Sequence, residues 1–199
     1  ETFREWDMGF DFYAPQSFVD ENERRILIGW AGVPDTERTH RNLSVKNGWQ
    51  HCLTLPTELE YRNGKIFRRP VRELESLPWM KKDAEAADGE KRKYLWKNQT
   101  IEIIEDGIAG GERQYLIGKE DNGLTIRVSG DRVELNFLNR NGEPSACGGG
   151  RKVRAGRVER MVEDLLVIID SSIAEVFVNG GEIVFTTRIY LEKKDRELV

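Results

Sequence analysis

The sequence predicts an all-β protein in which a short helical segment separates two groups of strands. Three observations support this fold class: two hairpin signals before residue 70, one short stretch of helical spacing after it, and several strand-like runs beyond residue 98. Gly, Asn and Asp residues separate these later runs, and this pattern is typical of an antiparallel β-sandwich. Residues 98–199 are therefore expected to form a compact all-β unit.

The first hairpin signal consists of two aromatic-rich runs, residues 10–19 and 25–30, on either side of the polar turn 20–23. Side chains alternate along a strand, so one face would carry aromatic and carboxamide groups suited to a polyhydroxylated ligand. That face would consist of Phe10, Phe12, Ala14 and Gln16. An ordinary hairpin with its aromatic side chains in a core is the alternative.

A second hairpin is predicted around the turn Asn63-Gly64, with residues 59–61 and 65–67 in its strands. Between the two hairpins, residues 48–55 form another strand-like run. This run ends at Pro56, because proline has no backbone N–H for a central ladder.

The middle of the chain differs from its two ends in hydrophobic spacing and in composition. Val71, Leu74 and Leu77 recur every three residues, which predicts one or two helical turns that end at Pro78. Residues 81–97 are highly charged and contain few branched apolar residues, so we expect a partly helical connector there. The strand-like runs that follow are residues 101–105, 115–118, 124–128, 133–137, 165–170, 175–178 and 183–190.

Composition excludes several classes of function. The 199 residues carry a net charge of −4, whereas a nucleic-acid-binding domain would normally be basic. No apolar run reaches the roughly 18 residues that a membrane span requires, and the chain does not begin with a secretory signal. We therefore expect no nucleic-acid partner and no membrane partner.

Cysteine and histidine spacing gives no metal signal. Cys52 and Cys147 lie far apart and lack the spacing of a zinc site or a disulfide framework. His40 and His51 do not complete a metal centre with them at any recognised spacing. We expect reduced structural thiols, no metal site and no cofactor.

Four segments of the chain carry a more specific resemblance. They are GFDFYAPQSF (9–18), RRILIGWAGVPD (24–35), NGWQHCLTLPTELEYRNGKIFRRPVREL (47–74) and DSSIAEVFVNGGEIVFTTRIY (170–190). In this order they resemble glycoside hydrolase family 32, which comprises β-fructofuranosidases such as invertases, fructanases and bacterial sucrose-6-phosphate hydrolases. The phrase NGWQHCLTLPTELE is most similar to the sucrose-6-phosphate hydrolase branch.

The resemblance implies a two-part architecture. Residues 1–70 would be the last part of a five-bladed β-propeller, residues 71–97 a short helical linker, and residues 98–199 a carboxy-terminal antiparallel β-sandwich. In such enzymes the active site lies in the axial funnel of the propeller. The unpaired propeller strands of this chain would favour self-association.

The chemistry implied by the resemblance is retaining glycoside hydrolysis, which requires two carboxyl groups about 5–5.5 Å apart. In the family these groups lie in Asp-Pro and Glu-Cys motifs, and neither dipeptide occurs between Glu1 and Val199. Other carboxylates near the expected ligand end are more often backbone acceptors or surface charges, so we assign no catalytic residue. These carboxylates are Asp7, Asp11, Asp35 and Glu37.

The resemblance implies a modest substrate role for two residues. Tyr13, in the Phe-Tyr-Ala motif, and Trp30, in the Ile-Gly-Trp motif, would form part of the substrate-pocket wall, although packing of the blade is an alternative role for Trp30. The substrate of the complete enzyme would be sucrose or sucrose 6-phosphate, in the bacterial cytoplasm. This chain would be an inactive fragment of that enzyme; the competing function is a non-catalytic carbohydrate-binding or structural β-sandwich module.

Overall fold

The computed structural model describes residues 5–32, 41–77, 80–83, 94–95, 100–109 and 111–198. Within these ranges the chain consists of β-strands and four short 3-10 helices, which confirms the all-β class. The strands form three sheets.

The first sheet contains the amino-terminal strands in the order β1-β2-β4-β5, with β3 paired to β2, and its pairs are antiparallel. Its strands are β1 (Tyr13–Val19), β2 (Arg25–Ala31), β3 (Cys52–Leu53), β4 (Thr57–Arg62) and β5 (Lys65–Pro70). Both predicted hairpins are present. In the second, Asn63 and Gly64 have φ values of 49° and 83°, the left-handed conformations that a two-residue hairpin turn of this kind requires.

The expected face of Phe10, Phe12, Ala14 and Gln16 is not formed, so that prediction is wrong. The strand begins at Tyr13, and its register with β2 shifts between Tyr13 and Gln16. Ala14 has φ +43° at this irregularity, which interrupts the alternation of side chains. Phe10 lies before the strand and packs on Phe137 with ring centroids 5.9 Å apart.

Residues 48–55 are less regular than predicted, because only Cys52–Leu53 of this run is a strand. A 3-10 helix, Leu43–Asn47, precedes the run. The predicted helical turns after residue 70 are confirmed as a 3-10 helix, Arg72–Ser76. Two short parts of the expected connector are described, and both are strands: β6 (Met80–Asp83) and β7 (Tyr94–Leu95). The rest of 81–97 lies outside the described residues, so the partly helical connector stays a prediction. These two strands pair with β8 (Thr100–Asp106) and β16 (Glu197–Leu198) of the later sheets, respectively.

The other two sheets contain the carboxy-terminal strands. One, the six-stranded sheet, has the order β12-β11-β10-β9-β16-β7; the other, which we call the five-stranded sheet, has the order β15-β14-β13-β8-β6. The strand bounds are β8 (Thr100–Asp106), β9 (Arg113–Lys119), β10 (Asn122–Ser129), β11 (Arg132–Asn136), β12 (Val153–Arg157), β13 (Asp164–Asp170), β14 (Ile173–Val178), β15 (Ile183–Arg188) and β16 (Glu197–Leu198). Short 3-10 helices occupy Ala146–Gly148 and Lys193–Asp195. All seven predicted runs are strands, whereas β12 and β16 were missed. The β6–β8 pair is parallel and the other described pairs of these two sheets are antiparallel.

A single large apolar core lies between these two sheets, because both contribute its side chains. Ile126 and Leu135 come from the six-stranded sheet, and Val167 and Val176 from the five-stranded sheet. Every residue of β14 and β15 is buried. Their other face must therefore be covered as well, and the first sheet covers it.

The segment before β1 closes one edge of the five-stranded sheet. The backbone N–H of Met8 donates to the Val184 carbonyl at 2.8 Å, and that of Phe10 donates to the Thr186 carbonyl at 2.9 Å. Strand β15 is the edge strand at this side. The amino-terminal segment thereby satisfies backbone groups that an open edge would expose.

Candidate functional site

The structure brings the two predicted pocket-wall residues together. Tyr13 and Trp30 are register partners across β1 and β2, and their ring centroids are 6.0 Å apart in an edge-to-face arrangement. Trp30 also meets the His51 ring edge-on, with 4.6 Å between centroids. We call Tyr13, Trp30 and His51 the ring triplet. Tyr13 is 50% exposed, so the triplet reaches solvent at one end.

The geometry of the ring triplet suits a sugar-contacting wall in chemical terms. Aromatic faces cover apolar C–H patches, and the Tyr13 hydroxyl can bond a polar ligand group. His51, which the sequence analysis considered only as a metal ligand, lies partly buried beside Trp30. Contact of the triplet with a sugar stays a prediction.

Asp7 and Asp11 are interior groups. Asp11 is fully buried and forms an ion pair with Arg151, whose Nε lies 2.6 Å from Oδ2. Asp7 is 7% exposed and pairs with Arg68, whose Nη2 lies 2.6 Å from Oδ2.

Each of the two carboxylates also accepts backbone N–H groups. Asp7 Oδ1 accepts from Gly9 and Thr186, each at 2.8 Å, and Asp11 Oδ2 accepts from Arg188 at 2.8 Å. The expectation of backbone acceptors therefore holds, while the surface-charge alternative does not. Asp7 thus links Arg68 of the first sheet to Thr186 of β15, and Asp11 links the segment before β1 to Arg151 and Arg188. Asp35 and Glu37 lie outside the described residues.

Glu175 on β14 was missed by sequence reasoning. It is fully buried; its Oε2 accepts the Leu55 N–H at 2.7 Å, and its Oε1 lies 3.4 Å from Thr186 Oγ1. Burial raises the pKa of Glu175 to about 7, against the lowering effects of the Leu55 N–H and the Arg68 charge. The sequence does contain a signal for this buried acid: Glu175 is the single acidic residue in the apolar run IAEVFV, and a continuous apolar run is typical of a strand that is buried on both faces.

The remaining candidates are structural. Burial raises the pKa of the Cys147 thiol to about 11, so this thiol stays protonated. Ser171, with φ +52°, lies in the turn between β13 and β14 and is a turn former. Within the described ranges, no group of three or more His, Cys, Asp or Glu side chains is arranged to hold a metal ion. The helices of the described part are all too short or too polar to cross a membrane.

A cleft of about 240 Å³ lies apart from the ring triplet. The 3-10 helix after β5 forms one side through Val71 and Leu74, and the five-stranded sheet forms the other through Leu166 and Phe177. Neither Tyr13 nor Trp30 lines it. The cleft is therefore separate from the predicted substrate wall.

Two solved structures share this fold. Sucrose-6-phosphate hydrolase from Lactobacillus gasseri superposes with a TM-score of 0.70 over 98% of this chain and 39% of that chain, at 19% identity. A family 32 β-fructofuranosidase from Bombyx mori gives a TM-score of 0.69 with the same coverage, at 26% identity. The first similarity, at its low identity, shows the fold alone.

Sequence relatives agree with this similarity. The chain is 33% identical to sucrose-6-phosphate hydrolase of Staphylococcus xylosus over 96% of its own length, and 33% identical to that of Escherichia coli over 98%. It spans only 39% and 40%, respectively, of the length of these relatives.

Family models match both ends of the chain. The model of the glycosyl hydrolases family 32 N-terminal domain matches residues 1–70, and the model of the family 32 C-terminal domain matches residues 123–199. Two models of one family thus match in the expected order and cover most of the chain. The chain therefore belongs to glycosyl hydrolase family 32.

Proposed function

We propose that this chain is the carboxy-terminal part of a retaining glycoside hydrolase that cleaves the β-fructofuranosyl bond of sucrose or sucrose 6-phosphate. The observation that carries the proposal is the 33% identity to sucrose-6-phosphate hydrolases along nearly the whole chain. The similarity to bacterial enzymes of this kind also supports a bacterial cytoplasmic location.

The proposed architecture assigns residues 1–70 to the terminal part of a five-bladed propeller, 71–97 to a linker and 98–199 to an antiparallel β-sandwich. The four antiparallel strands β1-β2-β4-β5 of the first sheet lie side by side in chain order, with β3 as an additional short partner of β2, and four-stranded sheets of this kind are the blades of propellers. The core shared by the other two sheets supports the sandwich.

The chemistry requires a nucleophilic carboxylate and an acid/base carboxyl about 5–5.5 Å apart. In this chain Asp7 and Asp11 are committed to buried ion pairs, and Glu175 has no exposed surface. A carboxylate held in this way cannot reach an anomeric carbon. The chain also contains no Asp-Pro and no Glu-Cys dipeptide, the motifs that carry the catalytic groups in the family. We therefore propose that the catalytic pair lies outside residues 1–199 and that the chain alone is inactive, with Tyr13 and Trp30 contributing to the pocket wall.

A hybrid enzyme tests the proposal. In the hybrid, this chain replaces the aligned carboxy-terminal part of the Staphylococcus xylosus relative, and glucose release from sucrose and from sucrose 6-phosphate is measured. We expect release by the hybrid and none by the 199-residue chain or by the relative's amino-terminal part alone. Glucose release by the chain alone would refute its inactivity; a folded hybrid without activity on either sugar would refute the assignment of function and favour the non-catalytic module.

A further inference from the structure

Arg188, the last residue of β15, reaches from the five-stranded sheet to the backbone around the ring triplet. Its side chain is fully buried, and its Nη1 lies 3.5 Å from the Ala31 carbonyl oxygen and 3.4 Å from that of Gln50. Ala31 directly follows Trp30, and Gln50 directly precedes His51. One guanidinium nitrogen thus holds the chain neighbours of both rings.

The guanidinium of Arg188 is itself fixed by the turn between β13 and β14. Its Nε donates to the Ser172 carbonyl at 2.8 Å, and its Nη2 donates to Ser172 Oγ at 2.9 Å. It also lies over the rings of Trp49 and Tyr190, at 5.1 Å and 5.4 Å from their centroids. These contacts leave the planar group little freedom to turn. Lysine could not reproduce them, because its compact ammonium lacks the planar fork of donors.

The same sheet holds the other end of the segment that carries His51. Glu175 accepts the Leu55 N–H at 2.7 Å, while Leu53 pairs with Trp30 across β2 and β3. Residues 50–55 are thus fixed at one end by a cation and at the other by a carboxyl group, both from the five-stranded sheet. The position of His51 against Trp30 therefore depends on contacts made more than a hundred residues later in the chain.

We propose that Arg188 is a positioning residue that sets the geometry of the ring triplet and, through it, the wall that contacts the sugar. The link to sugar rests on the proposed function, whereas the effect on the rings does not. In this view the carboxy-terminal strands shape the substrate wall as well as supporting the fold. In the described contacts the Arg188 side chain bonds to backbone carbonyls and to Ser172 and lies over aromatic rings. It acts on the substrate through Trp30 and His51.

The first experiment follows the Trp30 indole N–H and the Tyr13 ring resonances of the 199-residue chain by NMR, with Trp30→Phe to assign the indole. We expect Arg188→Met and Arg188→Lys to move both resonances by more than a line width under fully folded conditions. Val133→Ala is the control. Val133 lies in the core between the six-stranded and five-stranded sheets, so its truncation lowers stability without removing a contact of Arg188 or of the ring triplet. Unmoved resonances in a folded Arg188 variant, or equal shifts in Val133→Ala, would overturn the proposal. If Arg188→Met does not fold, Arg188→Gln replaces it.

The second experiment uses the hybrid enzyme. Arg188→Lys should raise KM for the sugar about threefold to tenfold and change kcat less than about twofold, because a misplaced wall weakens ground-state and transition-state binding alike. An unchanged KM in an active hybrid would overturn the link to sugar. An inactive hybrid would refute the proposed function instead, and the NMR result would still decide whether Arg188 positions the rings.

Discussion

Glu175 and Leu55, 120 residues apart in the chain, are joined by a hydrogen bond of 2.7 Å from the Leu55 N–H to the Glu175 carboxyl. Asp7 and Arg68 lie on the same buried side, since Thr186 Oγ1 contacts both Asp7 and Glu175 and Arg68 pairs with Asp7. The first sheet and the five-stranded sheet therefore meet through polar groups that are individually costly to bury. Such an interface is specific because each group needs its partner.

The first prediction concerns the pH dependence of stability. The pKa of Glu175 is raised from 4.5 to about 7 by burial, so its contribution to stability is fully present below pH 4.5 and is lost as pH rises through 7. A shift of this size corresponds to about 3 kcal/mol. Glu175→Gln, which resembles the protonated acid, should match the wild type at pH 4.5 and exceed its free energy of unfolding at pH 8. Urea unfolding at the two pH values measures the difference, and parallel pH profiles for the two proteins would contradict this prediction.

The second prediction concerns the buried ion pair of Asp11 and Arg151, whose side chains are 0% and 1% exposed. Asp11→Ala leaves the Arg151 charge buried without its carboxylate, and we expect a loss of about 3–5 kcal/mol in the free energy of unfolding. Asp131→Ala is the matched control, because it breaks the exposed pair with Arg157 and should cost far less than Asp11→Ala. Similar losses for both variants in urea unfolding would show that burial does not set the cost.

The third prediction concerns two glycines with left-handed backbone. Gly181 and Gly142 have φ values of 92° and 76°, so alanine is strained at both. A Cβ at Gly181 would lie 2.0 Å from the Arg68 carbonyl oxygen, whereas a Cβ at Gly142 would meet nothing within 4 Å. Gly142→Ala should cost about 1–2 kcal/mol from backbone strain, and Gly181→Ala clearly more. Equal melting temperatures of the two variants would argue against close packing between β5 and the turn at Gly181.

The fourth prediction concerns self-association, which we propose for the chain on its own. Strand β1 lies at the end of the first sheet and is exposed along most of its length, with Phe18 at 51% and Val19 at 53%. An edge of this kind pairs readily with another strand. We expect concentration-dependent association in sedimentation equilibrium that Phe18→Lys weakens at least about tenfold. Met161→Lys, at an exposed position between β12 and β13 and outside the first sheet, should leave it unchanged. A monomer at all concentrations would contradict the proposal.

Local pattern accounted for most of the fold. The turn at Asn63-Gly64 and the seven runs after residue 98 were recognisable because turn residues and alternating apolar side chains act over a few positions. The faces of the first strand were wrongly predicted because Ala14 sits at an irregularity of register that no local rule signals. Strand β12, VRAGR, was missed because a segment with so few large apolar residues gives no local strand signal, and it is its pairing with β11 that makes it a strand.

For the candidate site, too, some features could be predicted from the sequence and others were visible only in the tertiary structure. The family resemblance singled out Tyr13 and Trp30, and motif content alone argued against a catalytic carboxylate in the chain. The roles of Asp11, Glu175 and Arg188 became visible in three dimensions, since each acts on a partner more than a hundred residues away. Short-range periodicity identifies strands and turns, because it depends on neighbours in sequence. The partner of each buried charge, in contrast, is decided by the packing of whole sheets. A charged side chain can be buried at low cost only where that packing places a group of opposite charge or a hydrogen-bond partner beside it.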